Sequence, residues 1–282
     1  MEHSVLLPAG GAVTGWAACR LHGVNLLDGL ATDGRTPLPV PLLVGRAGTG
    51  HKGHDGVRLL YADPGEVEHR HGIPVVSIER AVCDAMWLTH DLREAVVVMD
   101  MAAAARLTSI TRVRDAVAAR PRATGVILAR QALTLANERS ASPNETRTRL
   151  IWVLDAGLPS PLANCAVHGA RGQLLGIADL LDVEAGLAVE YDGADHRDVR
   201  RHSRDVRKES AFREHGIEVV RVTGPDLADR GAVAARLIAA RARARFEPVA
   251  RRSWRAALPA VSLDQQLAEA EVLAELRREW SA

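Results

Sequence analysis

The sequence predicts an α/β protein with a mixed-sheet core in the order α-β-β-β-α-β, preceded by a smaller α+β domain. Three observations carry this. The chain has 282 residues, enough for about two domains of ordinary size. Its first third is punctuated by Gly and Pro between short apolar runs, the pattern of small strands and loops. Its second half alternates amphipathic stretches with apolar runs too short to be helices. The expected divisions are residues 1–138, 139–246 and 247–282, the last an Arg-rich linker followed by a helix.

In the first division, Val13–His22 and Ser77–Leu88 space their apolar residues by three and four, as short helices do. Val40–Val44 and Val57–Tyr61 read as strands. Residues 91–137 read as helix in at least two pieces, broken near Pro121 and Gly125. The second division opens on a helix-start signal: Ser142 as N-cap, Pro143 in the first turn and Glu145 at the third helical position. That helix ends at Gly157, and Pro159 and Pro161 forbid its continuation. Leu162–Val167, a turn at Gly169–Gly172 and Leu174–Leu180 form a hairpin, and Leu187–Tyr191 is a third strand. A charged helix over 197–215 ends at Gly216, a good C′ residue. Ile217–Val222 is a fourth strand and Pro225–Arg245 a helix. Ser262–Trp280 reads as one more amphipathic helix, with a face that could pack on a second copy of the chain.

Composition narrows the function classes. With 36 basic and 35 acidic side chains the net charge is +1, which excludes a wholly basic nucleic-acid coat or an acidic disordered tail. Three widely spaced cysteines, Cys19, Cys83 and Cys165, fit reduced thiols and offer no zinc knuckle. No secretory signal or membrane-length apolar run is present, so the expectation is a cytoplasmic protein that does not enter membranes. Lys52 and Lys208 are the only lysines. Two motif-like stretches lack the parts their chemistry needs. The glycine-rich run from Gly45 to Gly53 has its lysine one position late, with no Ser or Thr after it. His51, His54, His69 and His71 have no acidic or cysteine partner at metal-ligand spacing.

The chemistry-bearing stretch runs from Ile177 to His196. Asp179 ends an apolar strand, and a turn between Asp182 and Gly186 would bring it beside Glu190. Glu190 and Asp192, two apart in one strand, leave the same face. Carboxylates at the apolar end of a strand are costly unless paired or bound to a cation. Asp179 and Glu190 together make an oxygen-rich site of the kind that holds Mg²⁺. From His196 to Arg255 there are 16 Lys plus Arg against 8 Asp plus Glu, a basic surface suited to a phosphate backbone. Arg197, Arg200, Arg201, Arg204 and Arg207 dominate its helix.

Asp179, a ten-residue gap, Glu190-Tyr-Asp192-Gly and His196 resemble the endonuclease-like DUF559 family, in the PD-(D/E)XK superfamily with the very-short-patch repair endonucleases. Ser142-Pro-Asn-Glu-Thr-Arg, Gly157-Leu-Pro-Ser-Pro, Arg204-Asp-Val-Arg-Lys-Glu and Gly216-Ile-Glu-Val-Val-Arg-Val-Thr extend the resemblance over about residues 140–240. The resemblance implies a restriction-endonuclease-like core that hydrolyses DNA with Mg²⁺. It implies Asp179 and Glu190 as metal ligands and Glu145 as the acid orienting metal-bound water. The superfamily places a lysine two after the glutamate, where this chain has Asp192. Lys208 could supply that cation from another element, and His196 could assist proton transfer.

In the first division, Val13-Thr-Gly-Trp-Ala-Ala-Cys-Arg-Leu-His-Gly and Gly72-Ile-Pro-Val-Val-Ser-Ile-Glu-Arg-Ala-Val-Cys-Asp resemble the C-terminal region of AbiEi-type antitoxins, without the preceding winged helix. That resemblance implies a rival: a non-catalytic regulator binding DNA or a partner protein such as a toxin, with the nuclease fold kept as a scaffold.

Overall fold

The computed structural model describes residues 7–45, 55–193 and 199–280, with the side chains of the last span described from Val206 onward. The chain divides into two compact units, Met1–Glu138 with Val261–Ala282, and Arg139–Ala260. Among the described residues there are nine α-helices and two five-stranded mixed sheets. None of the helices is long and apolar enough to cross a membrane.

The first unit carries strands β1 (Ala12–Val13), β2 (Val40–Leu43), β3 (Val57–Leu60), β4 (Val67–Arg70) and β5 (Ile73–Val76), ordered β3-β2-β1-β5-β4. Val13 opens no helix. It pairs with Leu42 and Val75 in the sheet, and helix α1 (Gly15–His22) starts two residues later. Helix α2 (Ile78–Leu88) begins at Ser77, whose hydroxyl accepts the Arg80 N–H. The 91–137 stretch forms three helices: α3 (Leu92–Ala104), α4 (Ile110–Ala118) and α5 (Val126–Leu135). The break at Pro121–Gly125 is present. A second break follows from Arg106 in the left-handed region (φ 57°) and from Ser109, whose side chain caps α4.

The second unit carries helix α6 (Pro143–Leu150), strands β6 (Leu162–Gly169), β7 (Leu174–Asp182) and β8 (Leu187–Asp192), helix α7 (Val199–Glu214), strand β9 (Glu218–Thr223), helix α8 (Arg230–Arg243) and strand β10 (Trp254–Ala257). The sheet order is β10-β6-β7-β8-β9, antiparallel except for the parallel β8–β9 pair. Ser142 caps α6 as its sequence predicts, and the helix loosens into a π turn at Ile151–Asp155 before Gly157. Two buried clusters flank the sheet. One gathers Trp152, Leu180, Leu187, Val189, Val222 and Leu237. The other gathers Cys165, Ala178, Leu181, Ala188, Phe212 and Trp254.

Two expectations are corrected. Pro225–Arg245 is not one helix: Pro225–Ala228 is a 3₁₀ turn, and α8 starts afresh where Asp229 accepts the Ala232 N–H at 2.9 Å. The stretch 247–282 holds the expected helix, but the part before it is not only a linker, because it contains strand β10. Trp254 is 6% exposed in the second cluster, and its strand extends the sheet by pairing with β6 from Trp254↔Gly169 to Ala257↔Ala166. Helix α9 (Leu263–Glu279) belongs to the first unit, where Ser109 Oγ donates to Asp264 Oδ1 at 2.7 Å and Arg112 bonds Glu271.

Candidate active site

The site grows from the β7–β8 hairpin. Its turn is held by Asp182, whose Oδ1 accepts the Ala185 N–H at 3.0 Å, and by Gly186 in the left-handed region (φ 70°). From there the ladder pairs Asp182↔Leu187, Leu181↔Ala188 and Leu180↔Val189, and then stops. Beyond that point β7 stays with β6, and β8 stays with β9. The two strands therefore fork, and continuing the register sets Asp179 opposite Glu190 at its base. There the Asp179 Oδ2 accepts the Tyr191 N–H at 2.8 Å, as a strand carbonyl would in a continued ladder.

Glu190 shares a strand face with Ala188, which belongs to the cluster that also holds Phe212 of α7. It is 9% exposed. The Lys208 ammonium, from α7, bonds its carboxylate and donates to the Ile177 carbonyl on the other arm of the fork at 3.2 Å. Gly176 makes room for this. A Cβ there would stand 2.5 Å from Lys208 Cγ and 3.3 Å from the Phe212 ring, so any side chain would push the lysine stem off the strand. Lys208 thus reaches the glutamate from α7, whereas the position two after Glu190 on its own strand is Asp192.

Asp192, at that position, is part of another contact chain. Arg221 on β9 lies opposite Glu190 in the parallel register, and its Nη1 stands 3.5 Å from the Asp192 Oδ2. The same guanidinium pairs with Glu209 of α7. Arg221 therefore stands in the row of charges beside the candidate ligands, which the sequence reading missed. Its signal was present, because an arginine alternating with Val220 and Val222 must leave the strand on the polar side.

Glu145 is held at the start of its own helix. Its carboxylate accepts the Ala141 N–H at 2.9 Å and the Ser142 hydroxyl at 3.0 Å, and it accepts the Asn164 Nδ2 at 2.7 Å. Asn164, on β6, lies between the pairs Ala163↔Leu180 and Cys165↔Ala178 and so faces Asp179 of β7, and Glu145 connects to the fork through that amide. On the opposite face from Glu190, the Tyr191 hydroxyl accepts the Asn144 Nδ2 at 2.6 Å, and Asn144 is held in turn by Arg147 at 2.7 Å. Burial pushes the Tyr191 phenol up from its ordinary value, against a smaller lowering by the Asn144 bond.

Arg207 is exposed on α7. Arg200, Arg201 and Arg204 lie on the same helix, and their side chains fall outside the described residues, as do His196 and Arg197 entirely. Most of the glycine-rich run from Gly45 to Gly53, with His51 and His54, also lies outside them, while His69 and His71 are exposed. Among the described residues no three His, Cys, Asp or Glu side chains gather as a metal-holding group. Asp179 and Glu190 instead offer two carboxylates, the number Mg²⁺ commonly takes from protein while keeping waters and substrate phosphates as its other ligands. By donor chemistry alone, two carboxylates suit that ion.

No family model matches the chain. It is 28% identical over 145 residues to the uncharacterized protein MT2308 of Mycobacterium tuberculosis (strain CDC 1551 / Oshkosh), and equally to the uncharacterized protein Rv2248 of Mycobacterium tuberculosis (strain ATCC 25618 / H37Rv). Each alignment covers 51% of this chain and 53% of the relative, so the chain spans about half the length of the curated relatives it matches. No solved structure matches.

Proposed function

We propose that the Arg139–Ala260 unit is a PD-(D/E)XK-like nuclease module that hydrolyses DNA phosphodiester bonds with Mg²⁺. The observation that carries the reading is the fork itself. The ladder opens just past Leu180↔Val189, Asp179 there accepts the N–H of Tyr191, next to Glu190, and Lys208 brings a cation to Glu190. Mg²⁺, held by Asp179 and Glu190, would activate water and offset charge developing on the phosphate. Lys208 neutralises the glutamate while the site is at rest and places its ammonium where a scissile phosphate or attacking water would come. Glu145 anchors Asn164. Arg207, with Arg197, Arg200, Arg201 and Arg204, would hold the phosphate backbone, and His196 would be available for proton transfer.

One observation favours the rival reading, a regulator that keeps the fold as a scaffold and binds DNA, a toxin-like partner or a second copy. Asp192, Arg221 and Glu209 are knitted together, as charges in an inert framework would be. The test is plasmid cleavage with Mg²⁺ beside Glu190→Gln and Asp179→Asn. The nuclease reading expects nicking by the parent protein and a loss of about a hundredfold or more in each variant. Cleavage that survives both substitutions removes the site assignment. No cleavage by the parent, with DNA retained in a binding assay, favours the rival.

A further inference from the structure

Asn164 is the one non-glycine residue inside a described strand whose backbone is left-handed, at φ 44°. Asparagine enters that region more readily than other side chains. The inversion is held from both sides. Arg139 Nε donates to the Ala163 carbonyl at 2.9 Å, and its Nη2 donates to the Asn164 carbonyl at 2.7 Å. The Asn164 Nδ2 donates to the Arg139 carbonyl and to the Glu145 Oε2, each at 2.7 Å.

The consequence appears in the faces of two strands. Side chains two apart in a regular strand share a face. Yet Ala163 and Cys165 lie in different core clusters, and so do Ala178 and Leu180 across from them. The β6–β7 ladder pairs Ala163↔Leu180 and Cys165↔Ala178, which sets Asn164 against Asp179 at the change of face. Asp179 is therefore at a pivot, and from there its carboxylate reaches the Tyr191 N–H beside Glu190.

We propose that Asn164 is a positioning residue for the candidate metal site. Its left-handed backbone turns β7 so that the Asp179 carboxylate faces the fork, and its amide ties that pivot to Glu145. Its importance for metal binding rests on the nuclease reading, whereas the placement of Asp179 is testable without it.

The test compares Asn164→Gly, which keeps the backbone freedom, with Asn164→Ala, which does not. Both are read well below their unfolding temperatures in the full chain. Amide exchange of Tyr191 reports the Asp179 bond, with Asp179→Ala as the control that removes the acceptor. Mn²⁺ titration calorimetry reports metal affinity. The expected result is faster Tyr191 exchange in Asn164→Ala, together with Mn²⁺ binding weakened by about tenfold or more. Asn164→Gly, which keeps the backbone freedom but lacks the amide bonds to Arg139 and Glu145, should fall between Asn164→Ala and the parent in both. Tyr191 exchange in Asn164→Ala equal to the parent overturns the proposal, and so does an Asn164→Gly variant as impaired as Asn164→Ala. If Tyr191 exchange responds as expected but the parent binds no Mn²⁺, the placement by Asn164 stands and the metal-site reading fails.

Discussion

The Lys208 ammonium on α7 is bonded to the Glu190 carboxylate on β8, and it reaches the opposite arm of the fork through the Ile177 carbonyl. The glutamate side chain is 12% exposed and the lysine 20%, so water screens the pair only in part. Replacing Lys208 with Met removes that cation from a mostly buried carboxylate and should destabilise the unit by about 1–3 kcal/mol. Adding Glu190→Gln should recover part of the loss, because the carboxylate that required the cation is gone. Urea unfolding of the parent, both single variants and the double variant measures this, and strictly additive losses would contradict the coupling. Under the nuclease reading, Lys208→Met also lowers cleavage by about 10²- to 10³-fold, and Lys208→Arg restores part of it.

Tyr191 makes the pH response of the fork visible. Burial raises its phenol above the ordinary 10.0. Such a group stays neutral at a pH where the unfolded chain already ionises. Its contribution is full below the ordinary phenol value and is lost as pH rises through the folded value. The chain has two tyrosines, so Tyr61→Phe leaves Tyr191 as the only phenol. Tyrosinate absorbance of that variant should rise with a midpoint above 10 when folded and return to the ordinary value in denaturant. Asn144→Ala removes a bond that lowers the value, and should move the folded midpoint further up.

The hairpin turn depends on a second ion pair. Asp182 is 5% exposed, and its Oδ2 accepts the Arg241 Nε at 2.8 Å while its Oδ1 holds the turn. The Asp182 bond raises the Arg241 guanidinium above its ordinary value. Arg241 also lies over the Phe246 ring at 4.9 Å. Arg241→Ala should cost about 2–4 kcal/mol, more than an exposed ion pair, because it strands a buried carboxylate in the turn. Denaturant unfolding reads the loss. A change under about 0.5 kcal/mol would place the pair among weak surface contacts.

The thiols should be inert in the native protein. Burial pushes Cys83 up to about 12 and Cys19 further, with Asp84 adding to both, and burial raises Cys165 as well. A thiol-specific disulfide reagent should therefore react slowly with all three before unfolding and quickly after it. Rapid modification of native Cys19 would contradict its full burial.

Much of this could be read along the chain because its causes are local. Ser142, Pro143 and Glu145 specify a helix start through bonds within four residues. The hairpin of β7 and β8 follows from two apolar runs joined by a short turn, which brings Asp179 and Glu190 to the positions just past its last pair, Leu180↔Val189. Other features depended on partners far along the chain. Trp254 becomes a strand residue only because the edge of β6 and a cluster around Phe212 receive it. Val13 becomes sheet because Leu42 and Val75 lie on either side of it.

The sequence by itself determined which residues carry charge into the fork: two carboxylates at a hairpin's open end, and one lysine in that half of the chain. Only the tertiary structure decided how they meet. It laid α7 over Gly176 so that Lys208 reaches Glu190, and it inverted Asn164 so that Asp179 turns toward Tyr191. Alternation along a strand is a local rule. A left-handed residue that breaks it, and a helix that packs across it, are stabilised by contacts with residues distant in sequence, so periodicity does not encode them.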